Sequence, residues 1–120
     1  MDPRVKTVMV AMQRLLGEQI SLLTLSRTVN LSPSRLRQIF KSATGESPRQ
    51  YLRDLRMRNA ENLLRNTFLT VKEVAFASGI GDVSSFVRVF KKRYGLTPSK
   101  FRARNEALLN VATKVDRNGE

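Results

Sequence analysis

The chain contains no cysteine and no histidine. Their absence together excludes thiol nucleophiles, histidine general bases, the serine–histidine–aspartate triad, zinc fingers, disulfides and haem ligation. Acidic residues are few: ten Asp and Glu stand against 22 Lys and Arg, a net charge of +12 over 120 residues. No apolar run is long enough to span a membrane. Met1-Asp2-Pro3-Arg4 does not open a signal peptide, so a cytoplasmic protein is expected. The remaining acids, Asp54, Glu61, Glu73 and Asp82 among them, are scattered and suit helix surfaces and caps. No nucleophile–base pair is visible, so no enzyme and no cofactor are expected.

What is present is positive charge on an otherwise ordinary globular composition. Hydrophobic residues make up 41% of the chain, enough for a core. A sequence pI near 11.3 in so short a chain implies an anionic partner. Fifteen of the 22 bases are Arg, which suits bidentate recognition of guanine and phosphate better than Lys. The bases cluster. Seven fall from Arg88 to Arg104 with no acid between them, and eight from Arg27 to Arg58 against Glu46 and Asp54.

The clusters sit at equivalent points of an internal repeat. At an offset of 50, Ser34 meets Ser84, Phe40 meets Phe90, Lys41 meets Lys91, Gly45 meets Gly95 and Pro48 meets Pro98. Leu36/Phe86, Ile39/Val89, Ser47/Thr97 and Tyr51/Phe101 match in kind. Self-similarity at fixed spacing means a repeated structural unit.

Punctuation and periodicity predict an all-α fold of about seven helices: two helix-turn-helix subdomains joined by a long central helix. Asp2 caps the first helix with Pro3 at its first position, Val5, Val8, Met9, Met12, Leu15 and Leu16 recur at helical spacing, and Gly17 ends it. Ser21 opens the second helix, Ser32-Pro33 the third, and Thr44-Gly45 stops that one. Ser47-Pro48-Arg49-Gln50 reads as a capping box opening a helix to about Arg65. That helix is apolar on more than one side, as expected of a strut packed by two small bundles. Thr70 to Glu73 is a second capping box, Asp82 caps the sixth helix, and Thr97-Pro98 opens a short seventh through about Asn105. The expected division is residues 1–46, first helix-turn-helix subdomain; 47–66, connecting helix; 67–106, second helix-turn-helix subdomain; and 107–120, a C-terminal tail that extends helix seven or frays.

Each repeat therefore reads helix, tight turn, basic helix, the plan in which the second helix enters the major groove of DNA. If Leu36, Ile39 and Phe40 face the core, the outward face of the third helix carries Ser34, Arg35, Arg37, Gln38 and Lys41. If Phe86, Val89 and Phe90 face the core, the sixth presents Ser84, Ser85, Val87, Arg88, Lys91 and Lys92. Arg pairs with guanine O6/N7, Gln with adenine N6/N7, and Ser with either. Arg88 is the expected main base reader, with Ser84 and Ser85 beside it and Val87 placed for a thymine methyl. For Ser34 and Ser84, helix-start chemistry and base contact both remain open. Lys41, Lys91 and Lys92, later in their helices, are expected on phosphates. A connecting helix of roughly 19 residues spans about 28 Å, somewhat under the ~34 Å between successive major grooves. Engagement of both helices is therefore expected to bend the DNA, or else one unit binds more loosely. The competing reading is a non-specific basic nucleic-acid binder. RNA or single strands would call for exposed aromatics on the basic helices, and none is found there.

The ordered pattern resembles the DNA-binding module of the AraC/XylS family of bacterial transcription regulators over roughly Asp2 to Arg104. The second unit carries most of it: Val74-Ala75, Gly79-Ile80, Ser85-Phe86, Val89-Phe90-Lys91-Lys92-Arg93-Tyr94-Gly95-Leu96-Thr97-Pro98-Ser99-Lys100-Phe101-Arg102. The first adds Leu31-Ser32-Pro33-Ser34, Leu36, Phe40-Lys41, Gly45, Pro48 and Tyr51-Leu52. The resemblance implies insertion into adjacent major grooves of an asymmetric site on double-stranded DNA, groove-facing residues at Ser34, Arg37, Gln38, Ser84, Ser85 and Arg88, and often contact with RNA polymerase to activate transcription. Asn30 departs from the glycine common in the first turn, and Gly81 and Val83 stand where polar residues are usual. Many members carry an effector-binding or dimerising domain before this module. A C-terminal fragment, monomeric as an isolated module, is expected here over a stand-alone member.

Overall fold

The computed structural model describes residues 1–118, with side chains to residue 112. It contains seven helices and, among the described residues, no strand: α1 (Pro3–Arg14), α2 (Leu22–Thr28), α3 (Pro33–Thr44), α4 (Pro48–Asn66), α5 (Val71–Ser78), α6 (Val83–Tyr94) and α7 (Pro98–Asn118). Two compact units divide inside α4, one of Met1–Arg58 and one beginning at Asn59.

Side-chain caps set where the helices start. Asp2, Ser21, Ser32, Ser47, Thr70, Asp82 and Thr97 each accept a hydrogen bond from a backbone N–H of the first turn that follows. These bonds satisfy donors that the helix itself leaves unpaired. Thr70 and Glu73 close a full reciprocal box. At Ser47 the forward arm forms, from the Gln50 N–H at 3.2 Å, while the Gln50 side-chain amide donates to Asp54 at 3.3 Å. The ends repeat as well. Gly45 and Gly95 both adopt left-handed φ, 83° and 80°, and their N–H groups donate to the Lys41 and Lys91 carbonyls at 2.8 Å. Unlike Gly45 and Gly95, no such stop follows Pro98: residues 99–118 contain neither Gly nor Pro, and α7 runs on through most of the expected tail. The last two residues of that tail lie outside the described residues.

In the first unit α1, α2 and α3 pack on one another around Val5, Val8, Met12, Leu16, Leu25, Leu36, Phe40 and Leu52. In the second, α6 packs on α5 and α7, with Val74, Ala75, Phe86 and Phe90 buried. The repeat reaches further back than residue identity shows. Val5, Val8 and Met12 are fully buried on α1, and Met57, Ala60 and Leu64 are buried at the same spacing on α4. One helix thus supplies the last element of the first unit and the first element of the second.

Arginines cap the helix ends within each unit. Arg56 donates to the carbonyls of Leu16 at 3.2 Å and Glu18 at 2.8 Å, just past the end of α1. Arg102 does the same at the end of α4, to Leu64 at 3.1 Å and Thr67 at 3.4 Å. A guanidinium at a helix C-terminus satisfies orphan carbonyls and opposes the dipole. Both residues belong to the basic clusters of the sequence, but they are spent within the fold.

Candidate nucleic-acid interface

The two turns that aim α3 and α6 are built differently. Asn30 takes φ 56°, the position filled by Gly79 at φ 77° in the second turn. Counting from these two left-handed residues, the second turn has one residue more. Ser21 pairs with Thr70 and Asn30 with Gly79 at an offset of 49, and Pro33 pairs with Val83 at 50. Gly81 takes up the extra residue at φ 112°, a conformation that side-chain-bearing residues rarely adopt, and open space surrounds its Cα. That accounts for glycine at a position where a polar residue was expected.

Beyond the turns, α3 and α6 bury the same stripe. Leu36 and Phe40 are fully buried on one, Phe86 and Phe90 on the other, with Ile39 and Val89 half-buried beside them. Ser34, Arg35, Arg37, Gln38 and Lys41 are all exposed on α3. On α6, Ser84, Arg88, Lys91 and Lys92 are exposed, while Ser85 and Val87 are half-buried. At 3.6 residues per turn, Ser34, Gln38 and Lys41 fall within about 60° of one another, and so do Ser84, Arg88 and Lys91. The N-cap role belongs to Ser32 and Asp82, which leaves Ser34 and Ser84 at the second helical position.

The exposed faces hold their charge open to solvent. Two salt bridges among the described residues, Arg4–Asp2 at 3.0 Å and Arg65–Glu61 at 2.8 Å, lie away from these faces. Asp82, the N-cap of α6, feels the charge of a predicted reader. The Ser85 backbone N–H, at 2.6 Å, holds its carboxyl below the usual aspartate range, and the Arg88 charge adds to that effect. On α3 the Arg35 guanidinium donates to the Gln38 carbonyl at 3.3 Å, which joins two of the predicted readers.

Part of the basic character is structural, and sequence reasoning missed it. Arg56 and Arg102 are half-buried on carbonyls. Arg65 lies 5.2 Å from the Phe101 ring centroid and Arg93 lies 5.6 Å from that of Tyr94. A signal was present. Arg56 stands four residues from both Leu52 and Ala60, and Arg102 four residues from Pro98, so both lie in line with buried positions. Phe68 and Phe76 are exposed, 102% and 83%, but lie before and on α5 and not on either basic helix.

A helix-turn-helix domain family matches residues 25–104. The Msm operon regulatory protein of Streptococcus mutans is 34% identical over 86 residues, covering 72% of this chain and 31% of that protein. The HTH-type transcriptional activator RhaS of Enterobacter sp. is 31% identical over 108 residues, covering 90% of this chain and 39% of that protein. The chain thus spans between about three and four tenths of the length of these relatives. Among solved structures, the DNA-binding domain of AdpA, in complex with a target DNA, aligns with a TM-score of 0.81 at 30% identity over 89% of this chain and 96% of that one. The C-terminal domain of AraT, a response regulator from Geobacillus stearothermophilus, aligns with a TM-score of 0.81 at 28% identity over 86% of each chain.

Proposed function

Because the chain belongs to the AraC/XylS family of helix-turn-helix DNA-binding regulators, we propose that it reads a specific double-stranded site by laying α3 and α6 in successive major grooves. One observation carries this reading. Two helices at an offset of 50 bury the same stripe and turn the same basic face to solvent. A major groove admits such a helix, and base edges there distinguish all four pairs.

In this proposal Arg37 and Arg88 pair with guanine O6 and N7. Arg35 and Gln38 contact the groove beside Arg37, Ser34, Ser84 and Ser85 donate to base edges, and Val87 meets a thymine methyl. Lys41, Lys91 and Lys92 neutralise phosphates and fix register. RhaS of Enterobacter sp. is an HTH-type transcriptional activator. By that likeness, this chain serves in activating transcription, and contact with RNA polymerase is part of the same proposal. The division into residues 1–46, 47–66, 67–106 and 107–120 remains part of the same proposal, with α4 as the connection.

Selection of bound duplexes from a random pool, at a stated salt concentration, tests this. The expected result is one enriched, asymmetric motif with two information-rich blocks about a helical turn apart. Retention of DNA without any enriched motif would mean a purely electrostatic binder.

A further inference from the structure

We propose that Arg35 sets the hydrogen-bonding sense of Gln38, so that Gln38 selects guanine where a free glutamine would select adenine. This rests on α3 being a base-reading helix, as proposed above.

The observation is the bond from Arg35 Nη1 to Gln38 Oε1 at 3.3 Å, made between two exposed side chains one turn apart on α3. The helix start holds Arg35 at its base, since the Arg35 backbone N–H donates to the Ser32 hydroxyl at 3.1 Å. A guanidinium carries donors and no acceptor. Only the carbonyl end of the glutamine amide can therefore face it, and the Gln38 NH2 group points away.

Glutamine reads adenine by using both ends of its amide. Oε1 accepts from the N6 amino group while Nε2 donates to N7. Arg35 takes one of the two lone pairs of Oε1 and adds its own cationic donors to the same part of the helix face, so the two side chains together favour an acceptor-rich base edge. Guanine presents two acceptors, O6 and N7, which match that edge. Adenine would set its N6 amino group beside the guanidinium.

The second unit reaches the same end by residue identity. At an offset of 50, Gln38 corresponds to Arg88, which is donor-only by its own chemistry. Gln38 with Arg35 on its carbonyl comes closer to what Arg88 presents. Both helices then select guanine at the equivalent position of their half-sites.

The test is duplex selection at one salt concentration with the unaltered chain, Gln38→Ala and Arg35→Ala. Both positions involved are solvent-facing, so thermal unfolding of the variants should match the parent. Gln38→Ala should flatten one position of the motif, and the parent should show guanine there. Arg35→Ala frees the carbonyl and should lower the guanine-to-adenine ratio at that same position by at least about fivefold. Adenine at that position in the parent overturns the inference, and so does an unchanged ratio in Arg35→Ala. If Gln38→Ala flattens no position while a motif is still enriched, base reading by Gln38 itself fails. That is a different signature from failure of the Arg35 coupling alone.

Discussion

Phe40 and Tyr51 meet edge to face, with ring centroids 5.3 Å apart and planes at 75°. Phe90 and Phe101 repeat the arrangement at 5.3 Å and 76°. In each unit this contact fastens the basic helix to the helix that follows its glycine stop. Phe40→Ala and Phe90→Ala should each cost about 3–5 kcal/mol. A unit of this size has roughly 3–9 kcal/mol to lose, so each change should come close to unfolding its own unit. Hydrogen exchange checks this: Phe40→Ala should accelerate exchange first in residues 1–58, and Phe90→Ala first from residue 59 onward.

The two turns should differ in their sensitivity to backbone substitution. Gly81 holds φ 112° with nothing near its Cα, so Gly81→Ala suffers strain without a steric clash and should cost about 1–3 kcal/mol. Asn30 already occupies the left-handed region at φ 56°. Asn30→Gly removes that strain but adds freedom to the unfolded chain, and should leave stability within about 0.5 kcal/mol of the parent. Urea unfolding midpoints of the two variants measure both effects.

Acid should destabilise the fold through its caps. The Asp2 carboxyl is lowered by its side-chain bond with Arg4, Glu73 by the Thr70 backbone N–H and Asp82 by the Ser85 backbone N–H. A carboxyl lowered in the folded state contributes stability above its unfolded pKa of about 4 and loses it as pH falls through the folded value. With no histidine, no side chain of ordinary pKa titrates between about pH 5 and 8. The thermal midpoint should be flat over that range and fall below about pH 4.5. Asp82→Asn keeps a capping acceptor that does not titrate, and should make the acid decline shallower.

Much of this fold was legible because its boundaries are written in single residues. The seven caps from Asp2 to Thr97 and the glycine stops at Gly45 and Gly95 are local signals that tertiary structure did not override. The faces of α3 and α6 followed from the positions of Leu36, Phe40, Phe86 and Phe90. The match between α1 and α4 was hidden. Val5, Val8 and Met12 align with Met57, Ala60 and Leu64 in burial but not in identity, and at an offset of 52 instead of 50. The inward arginines were hidden for another reason: charge composition reads as surface, and only the carbonyls of Leu16 and Leu64 reveal what Arg56 and Arg102 are for. The pairing of Arg35 with Gln38 depends on rotamers, on which helical spacing is silent.

Base readers and phosphate contacts should separate by salt dependence. Lys91→Ala should weaken selected and random duplexes alike, and should reduce the slope of log affinity against log salt by about one. Arg88→Ala should cost about 1–3 kcal/mol on the selected site and relax preference at particular base pairs. Titrations of both variants on both duplexes, at several salt concentrations, give the comparison.

Guanine N7-methylation interference on the selected site, run with the unaltered chain, Arg37→Ala and Arg88→Ala, asks most directly whether each basic helix occupies its own groove. Two interference clusters about one helical turn apart are expected, one vanishing in Arg37→Ala and the other in Arg88→Ala. A single cluster, or the same cluster lost in both variants, would contradict reading by two helices.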